Sequence, residues 1–134
     1  MVARKVLIAV DESPQSKHAF EWYFENWWDK EDQVIVAHCF EHHHHYFKDT
    51  TEIEEARIKT DYTEELGKKQ CNGNFVCIRG GKAGEALVDL AEREKVDCVV
   101  LGTRGSGTLR RTIMGSTSDY VVHHAHCPVL VCRE

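Results

Sequence analysis

The sequence predicts an α/β fold, a doubly wound five-stranded parallel sheet with helices on both faces. Three observations predict it. Short apolar runs rich in β-branched residues alternate with longer amphipathic segments along the chain. The runs are continuously apolar, which suits strands covered on both faces. The chain has 134 residues, 42% apolar and 29% charged, which fits a single domain over residues 1–134 with one sizeable core. Such alternation implies right-handed crossovers on a parallel sheet.

Lys5–Val10 (KVLIAV) reads as the first strand. Asp11-Glu12-Ser13-Pro14 follows, with Ser13 placed as an N-cap and Pro14 at the first helical position. The first helix runs to about Trp28, with Phe20, Phe24 and Trp27 at helical spacing and Tyr23 beside them. Trp22, Trp27 and Trp28 are expected mostly in the core, with room for one to be exposed. The acidic stretch Asp29–Asp32 ends the helix, and Gln33–Phe40 is the second strand. From about Thr50 to Lys69 a charged helix is expected, with Ile53, Ala56, Tyr62 and Leu66 inward. Gly67 and Asn72-Gly73-Asn74 mark its exit, and Phe75–Arg79 is the third strand. Gly80-Gly81 is a turn. Ala83, Ala86, Leu87, Leu90 and Ala91 then trace one face of a helix. Val96–Leu101 is the fourth strand, followed by the Gly-rich loop Gly102–Gly107. The last helix starts near Gly115-Ser116, with Met114, Ser118, Val121, Val122 and Ala125 inward. Cys127-Pro128 stops it before the fifth strand, Val129–Cys132.

Net charge is −5 with neutral histidines, which argues against a global polyanion-binding role. Normal apolar content and two prolines exclude intrinsic disorder. No apolar run approaches a membrane span, and no secretory signal is expected. The six cysteines form no CxxC pair, so reduced thiols in a cytoplasmic protein are expected, with no zinc site.

In an open parallel sheet, ligands sit beyond the carboxyl ends of the strands, at the topological switch point. Two strand ends carry chemistry here. One is Asp11-Glu12-Ser13. The other is Gly102–Gly107, closed by Gly115-Ser116-Thr117 at a helix start. Glycines let backbone N–H groups approach an anion. A helix N-terminus adds unpaired N–H groups and a positive dipole end. Between Asp97 and Asp119 the charged residues are Arg104, Arg110 and Arg111, a local +3 that favours an anionic ligand. There is no GxxxxGK[ST] loop and no GxGxxG loop, so neither the P-loop NTPase nor the dinucleotide-dehydrogenase reading holds.

Gly102, two residues, Gly105, nine residues and then Gly115-Ser116 resembles the G-x2-G-x9-G-[ST] signature of the universal stress protein family. KVLIAVDES resembles the family's opening strand and acidic turn, and MGSTSDYVVHHAHCPVLVC its closing helix and strand. The resemblance implies a Rossmann-like or flavodoxin-like sheet of the adenine nucleotide alpha hydrolase type, and a member of the ATP-binding subgroup. It implies ATP, ADP or AMP as ligand, with Mg²⁺ carried on phosphate oxygens and water. Asp11 would meet the ribose. Ala9, Val10 and the backbone near Cys39 would line the adenine pocket, with Ser13 beside them. Gly102, Thr103, Arg104, Gly105 and Gly107 would let the ribose and phosphates approach. Gly115, Ser116 and Thr117 would hold the phosphates. The family also implies a homodimer through the last strand, Val129, Leu130 and Val131.

No general base and no nucleophile elbow is evident, so a nucleotide-binding regulatory protein of the stress response is expected, with at most slow ATP hydrolysis. No nucleic-acid or membrane partner is expected. Two alternatives stay open: a slow ATPase or phosphotransferase, and a dimeric interaction module that holds no nucleotide. Flavin binding at the same crevice is a further, weaker option. His42–His45 reads as a solvated loop, with a transition-metal site as the competing reading. His123, His124 and His126 suit the C-terminal end of the last helix.

Overall fold

The computed structural model describes residues 3–40, 48–103 and 115–133, without the side chains of 48–51. Nine elements alternate: β1 (Lys5–Ala9), α1 (Pro14–Asn26), β2 (Gln33–Phe40), α2 (Lys48–Lys68), β3 (Asn72–Arg79), α3 (Ala83–Glu94), β4 (Cys98–Gly102), α4 (Ser116–His124) and β5 (Val129–Cys132). All strand pairs are parallel, in the order β3-β2-β1-β4-β5. The expected fold class is therefore what forms. Between the two doubly wound orders, the sheet takes the Rossmann one, which removes the analogy that raised flavin.

Alternate residues of each strand feed two cores. Val6, Ile8, Val34, Val36 and Val100 face α1 and α2, where Phe20, Tyr23, Ile58, Tyr62 and Leu66 meet them. Leu7, Ile35, Ala37, Val99 and Leu101 face α3 and α4, meeting Leu87, Leu90, Ala91 and Val121. The chain thus crosses from one face to the other between β1 and β4. Gly84 lets α3 and α4 close on each other, because a Cβ there would stand 2.8 Å from Tyr120 Cβ.

Several boundaries differ from expectation. β3 begins at Asn72, so the Asn72-Gly73-Asn74 cluster is strand and not turn. These residues are exposed on an edge strand, where polar side chains cost nothing. Ile53 is 59% exposed and Ala56 is exposed, whereas Ile58 is buried with Tyr62 and Leu66 one turn apart. Gly67 lies inside α2. β1 stops at Ala9, and β4 runs Cys98–Gly102 where Val96–Leu101 was expected. α1 ends at Asn26, leaving Trp27 40% exposed under the Arg4 guanidinium, 4.8 Å from its ring centre. Val122 faces outward, not inward. Met114 and the His42–His45 run lie outside the described residues.

The acidic stretch holds a structure that its sequence does not announce. Asp32 is 1% exposed and accepts hydrogen bonds from Arg4 Nε (2.9 Å), Arg4 Nη2 (2.8 Å), the Tyr23 hydroxyl (2.5 Å) and the Asp29 N–H (3.1 Å). Burial pushes its carboxyl up, but these donors more than offset that and hold it below the usual carboxylate range.

Candidate functional site

The helices change faces at the carboxyl ends of β1 and β4, where α1 and α4 start on opposite faces, and this is the switch point at which an open α/β sheet forms its ligand crevice. Both helix beginnings converge there, as an open α/β sheet requires.

The β1 side is tied by short-range bonds. Ala9 and Val10 are buried at the strand end, 8% and 6% exposed. Asp11 is half-buried. Its Oδ1 accepts from the Ser13 N–H (2.7 Å), and its own N–H donates to Ser16 Oγ (2.8 Å). Ser13 is the N-cap of α1, accepting from the Ser16 N–H at 3.1 Å, with Pro14 in the first turn. The expected cap forms, and Asp11 serves the turn as well.

On the β4 side, Gly102 ends the strand and is buried. A Cβ there would stand 2.7 Å from the Gln15 carbonyl oxygen and 2.9 Å from its carbon. Gly102 is thus the place where β4 and the first turn of α1 touch backbone to backbone. Thr103 follows. Its carbonyl accepts from the Gly115 N–H (2.5 Å) and from Ser118 Oγ (2.8 Å), which closes the loop between them. Gly115 is the N-cap of α4 with no side-chain cap, so the N–H groups of its first turn, around Ser116 and Thr117, are not claimed by a capping side chain. Arg104, Gly105, Gly107, Arg110 and Arg111 lie outside the described residues.

Cys39 stands at the end of β2, half-buried, with Sγ 3.8 Å from the Gly80 carbonyl. The described structure thus brings Ala9, Val10, Asp11, Ser13, Gly102 and Thr103 to the crevice, with Gly115–Thr117 across it and Cys39 two strands from β4. Two buried polar residues that the sequence did not single out, Ser16 and His38, stand beside these. Their signal is positional. Ser16 is buried one turn inside α1, and His38 lies in β2 against the Val10 carbonyl.

His123 and His124 lie in the last turn of α4, as expected, but each donates from Nδ1 to the carbonyl four residues back, that of Asp119 (2.8 Å) and of Tyr120 (2.9 Å), inside the helix and not at its last carbonyls. The six cysteines are thiols, with no disulfide among the described residues. No group of three or more histidines, cysteines or acids stands close enough to hold a metal among the described residues. Nor is any helix among them long and apolar enough to cross a membrane.

An open parallel sheet wound with helices on both faces defines a doubly wound α/β domain. The universal stress protein family model matches residues 3–133, and the chain belongs to that family. The chain is 42% identical over 57 residues to universal stress protein MJ0531 of Methanocaldococcus jannaschii, covering 42% of this chain and 33% of the relative. Matches to this and three other curated universal stress proteins span a third to just under half of their length. Among solved structures, that of protein MJ0577 superposes with a TM-score of 0.83 at 23% identity, covering 100% of this chain and 98% of the other. A universal stress protein bound to cAMP superposes at 0.74, with 19% identity and 96% of each chain covered. A family member from Arabidopsis thaliana with AMP bound superposes at 0.73, with 17% identity, covering 98% of this chain and 92% of the other. At these identities the solved structures establish the fold.

Proposed function

We propose that this chain binds an adenine nucleotide in the β1–β4 crevice, with ATP and its Mg²⁺ as the physiological form. The observation that carries the reading is the convergence of the two helix beginnings. The turn that leads into α1 brings a hydrogen-bonded carboxylate, Asp11, suited to ribose hydroxyls. α4 brings an uncapped N-terminus with two hydroxyl residues, suited to phosphate. Related structures holding AMP and cAMP support the same ligand class. Ala9 and Val10 form the apolar wall for the base. Arg104, Gly105 and Gly107 complete the phosphate loop, and the cation rides on phosphate oxygens and water. The protein acts as a cytoplasmic stress-response regulator whose nucleotide state alters its surface or assembly. It pairs as a homodimer through β5, a sheet edge whose Val129, Leu130 and Val131 are half-buried in the single chain.

Native mass spectrometry with and without Mg-ATP tests ligand and assembly together. A dimer with about one ATP-sized adduct per chain is expected, and Gly115→Val should remove the adduct while leaving the dimer. A dimer that stays bare at millimolar nucleotide overturns the proposal in favour of an interaction module. Steady release of ADP, lost in Asp11→Ala with binding retained, would favour the ATPase instead.

A further inference from the structure

A buried imidazole needs both ring nitrogens accounted for. His38 is 8% exposed, on the face of β2 that packs against α1 and α2. Its Nδ1 lies 2.7 Å from the Val10 carbonyl oxygen. A carbonyl oxygen only accepts, so Nδ1 carries a proton. The ring stands edge-on to Phe40, with centres 4.1 Å apart, which fixes its plane.

The location of this bond gives it meaning. The registered β1–β2 ladder ends at Ala9–Ala37. One residue further, the Val10 N–H still donates to the Ala37 carbonyl at 2.9 Å. The Val10 carbonyl is served by the side chain of the next β2 residue. Both polar groups of the Val10 peptide links are therefore held by Ala37 and His38, consecutive residues of β2. Asp11 comes next, and its N–H is already turned to Ser16 Oγ on α1. A side-chain donor satisfies the buried Val10 carbonyl while the chain leaves the sheet toward α1.

We infer that His38 is a positioning residue for the nucleotide site. Its Nδ1–H fixes the Val10 peptide, and through it the position of Asp11, whose carboxylate the nucleotide reading assigns to the ribose. The inference rests on the nucleotide reading above and adds a residue that does not itself touch the ligand.

Calorimetric titration of the full chain with Mg-ATP and with AMP tests it, on wild type, His38→Leu and His38→Asn. Leucine keeps an apolar volume and removes the donor. The asparagine Nδ2 stands as many bonds from the backbone as the histidine Nδ1, so it restores a donor to Val10. We expect His38→Leu to weaken binding about five- to tenfold, the size of one lost hydrogen bond. His38→Asn should return to within about twofold of wild type. Equal affinity of the leucine variant and wild type overturns the inference. So does equal loss in both variants, which would make ring volume the requirement.

A wild type that binds neither nucleotide overturns the nucleotide reading. Nitrogen-15 spectra of the imidazoles then judge the His38 bond alone, with an Nδ1-protonated tautomer expected and an Nε2-protonated one fatal to it. Should His38→Leu not fold, the wild-type His38 Nδ1–H signal is followed on adding nucleotide. A shift larger than those of His123 and His124 supports the inference, and an unmoved signal overturns it.

Discussion

Gly102→Ala separates two reasons for a glycine at the end of β4. The added Cβ would meet the Gln15 carbonyl oxygen at 2.7 Å, its carbon at 2.9 Å and the Ser16 nitrogen at 3.2 Å. Ordinary contact distances are roughly 3.5 Å, so the first turn of α1 must retreat by about half an ångström or more. Overpacking of this kind costs about 1–3 kcal/mol. The obstacle is backbone on both sides, so we take about 2 kcal/mol, which for a chain of this length is roughly 8 °C in Tm. The same retreat carries Ser16, which holds Asp11 and is held by Ser13. Nucleotide affinity should therefore fall about tenfold together with Tm. Thermal unfolding by circular dichroism and calorimetric titration measure the two. A Tm within 2 °C of wild type refutes the packing account. Unchanged Tm with lost affinity would mean that the Cβ meets the ligand itself, as the family resemblance implies. Lower Tm with unchanged affinity would sever α1 packing from the site.

Asp32→Ala leaves the fully buried Tyr23 hydroxyl without its acceptor and the Arg4 guanidinium with the Trp27 carbonyl (2.8 Å) but no carboxylate. The loss should be about 3 kcal/mol by urea unfolding, at the low end for a broken buried pair because Arg4 is a third exposed to water. The folded-state pKa of Asp32 is depressed, so its contribution is present above the unfolded value of about 3.9 and fades as pH falls through the folded one. The gap between wild type and variant should be full at pH 6 and shrink below about pH 4, and a gap constant down to pH 3 contradicts this. Ser13→Ala removes the α1 cap and should cost about 1 kcal/mol, read as a lower urea midpoint at unchanged slope. Burial, with Glu55 beside it, pushes the Cys77 thiol up to about 12, and burial, with Cys127 near, pushes Cys98 up to about 11. At pH 8 both should resist alkylation for minutes in the native protein and react in urea, as mass spectrometry would count. Rapid native labelling of Cys98 would show that β4 opens.

The sheet is legible in the sequence because its central strands β1, β2 and β4 are short runs buried on both faces, and α3 because its apolar residues keep strict helical spacing. Legibility fails where burial is partial. Asn72 and Asn74 lie on an edge strand, and Gly73 is small because a Cβ would stand 3.2 Å from the Val34 carbonyl and the Leu66 side chain. In α2 the outward Ile53 conceals the Ile58-Tyr62-Leu66 stripe, since one apolar residue on a solvated turn shifts the apparent face. At the candidate site, the local motifs are readable: the Ser13 cap, the acid after β1, the glycine that ends β4. Contacts that cross the sheet are not, because they depend on strand order and register. Ser118 on Thr103, Gly102 on Gln15 and His38 on Val10 join residues 15, 87 and 28 positions apart.

Register explains where the crevice opens. Lys5 pairs with Gln33, so Arg4 and Asp32 stand side by side just before the first rung, and their ion pair pins the start of β1 to β2. At the other end the last rung is Ala9–Ala37, and His38 pins the next carbonyl. β1 is thus fastened to β2 by side chains beyond both ends of its ladder. Toward β4 the registered pairs run from Val6–Cys98 to Ile8–Val100, ending one residue earlier than toward β2. Beyond that rung β4 continues into Gly102 with α1 pressed against it, while β1 is held to the other side. The seam that parts first at the carboxyl end is therefore β1–β4, the seam where the helices also change faces. Strand register and helix crossover select the same position independently, so a ligand there meets both helix beginnings without any strand having to move.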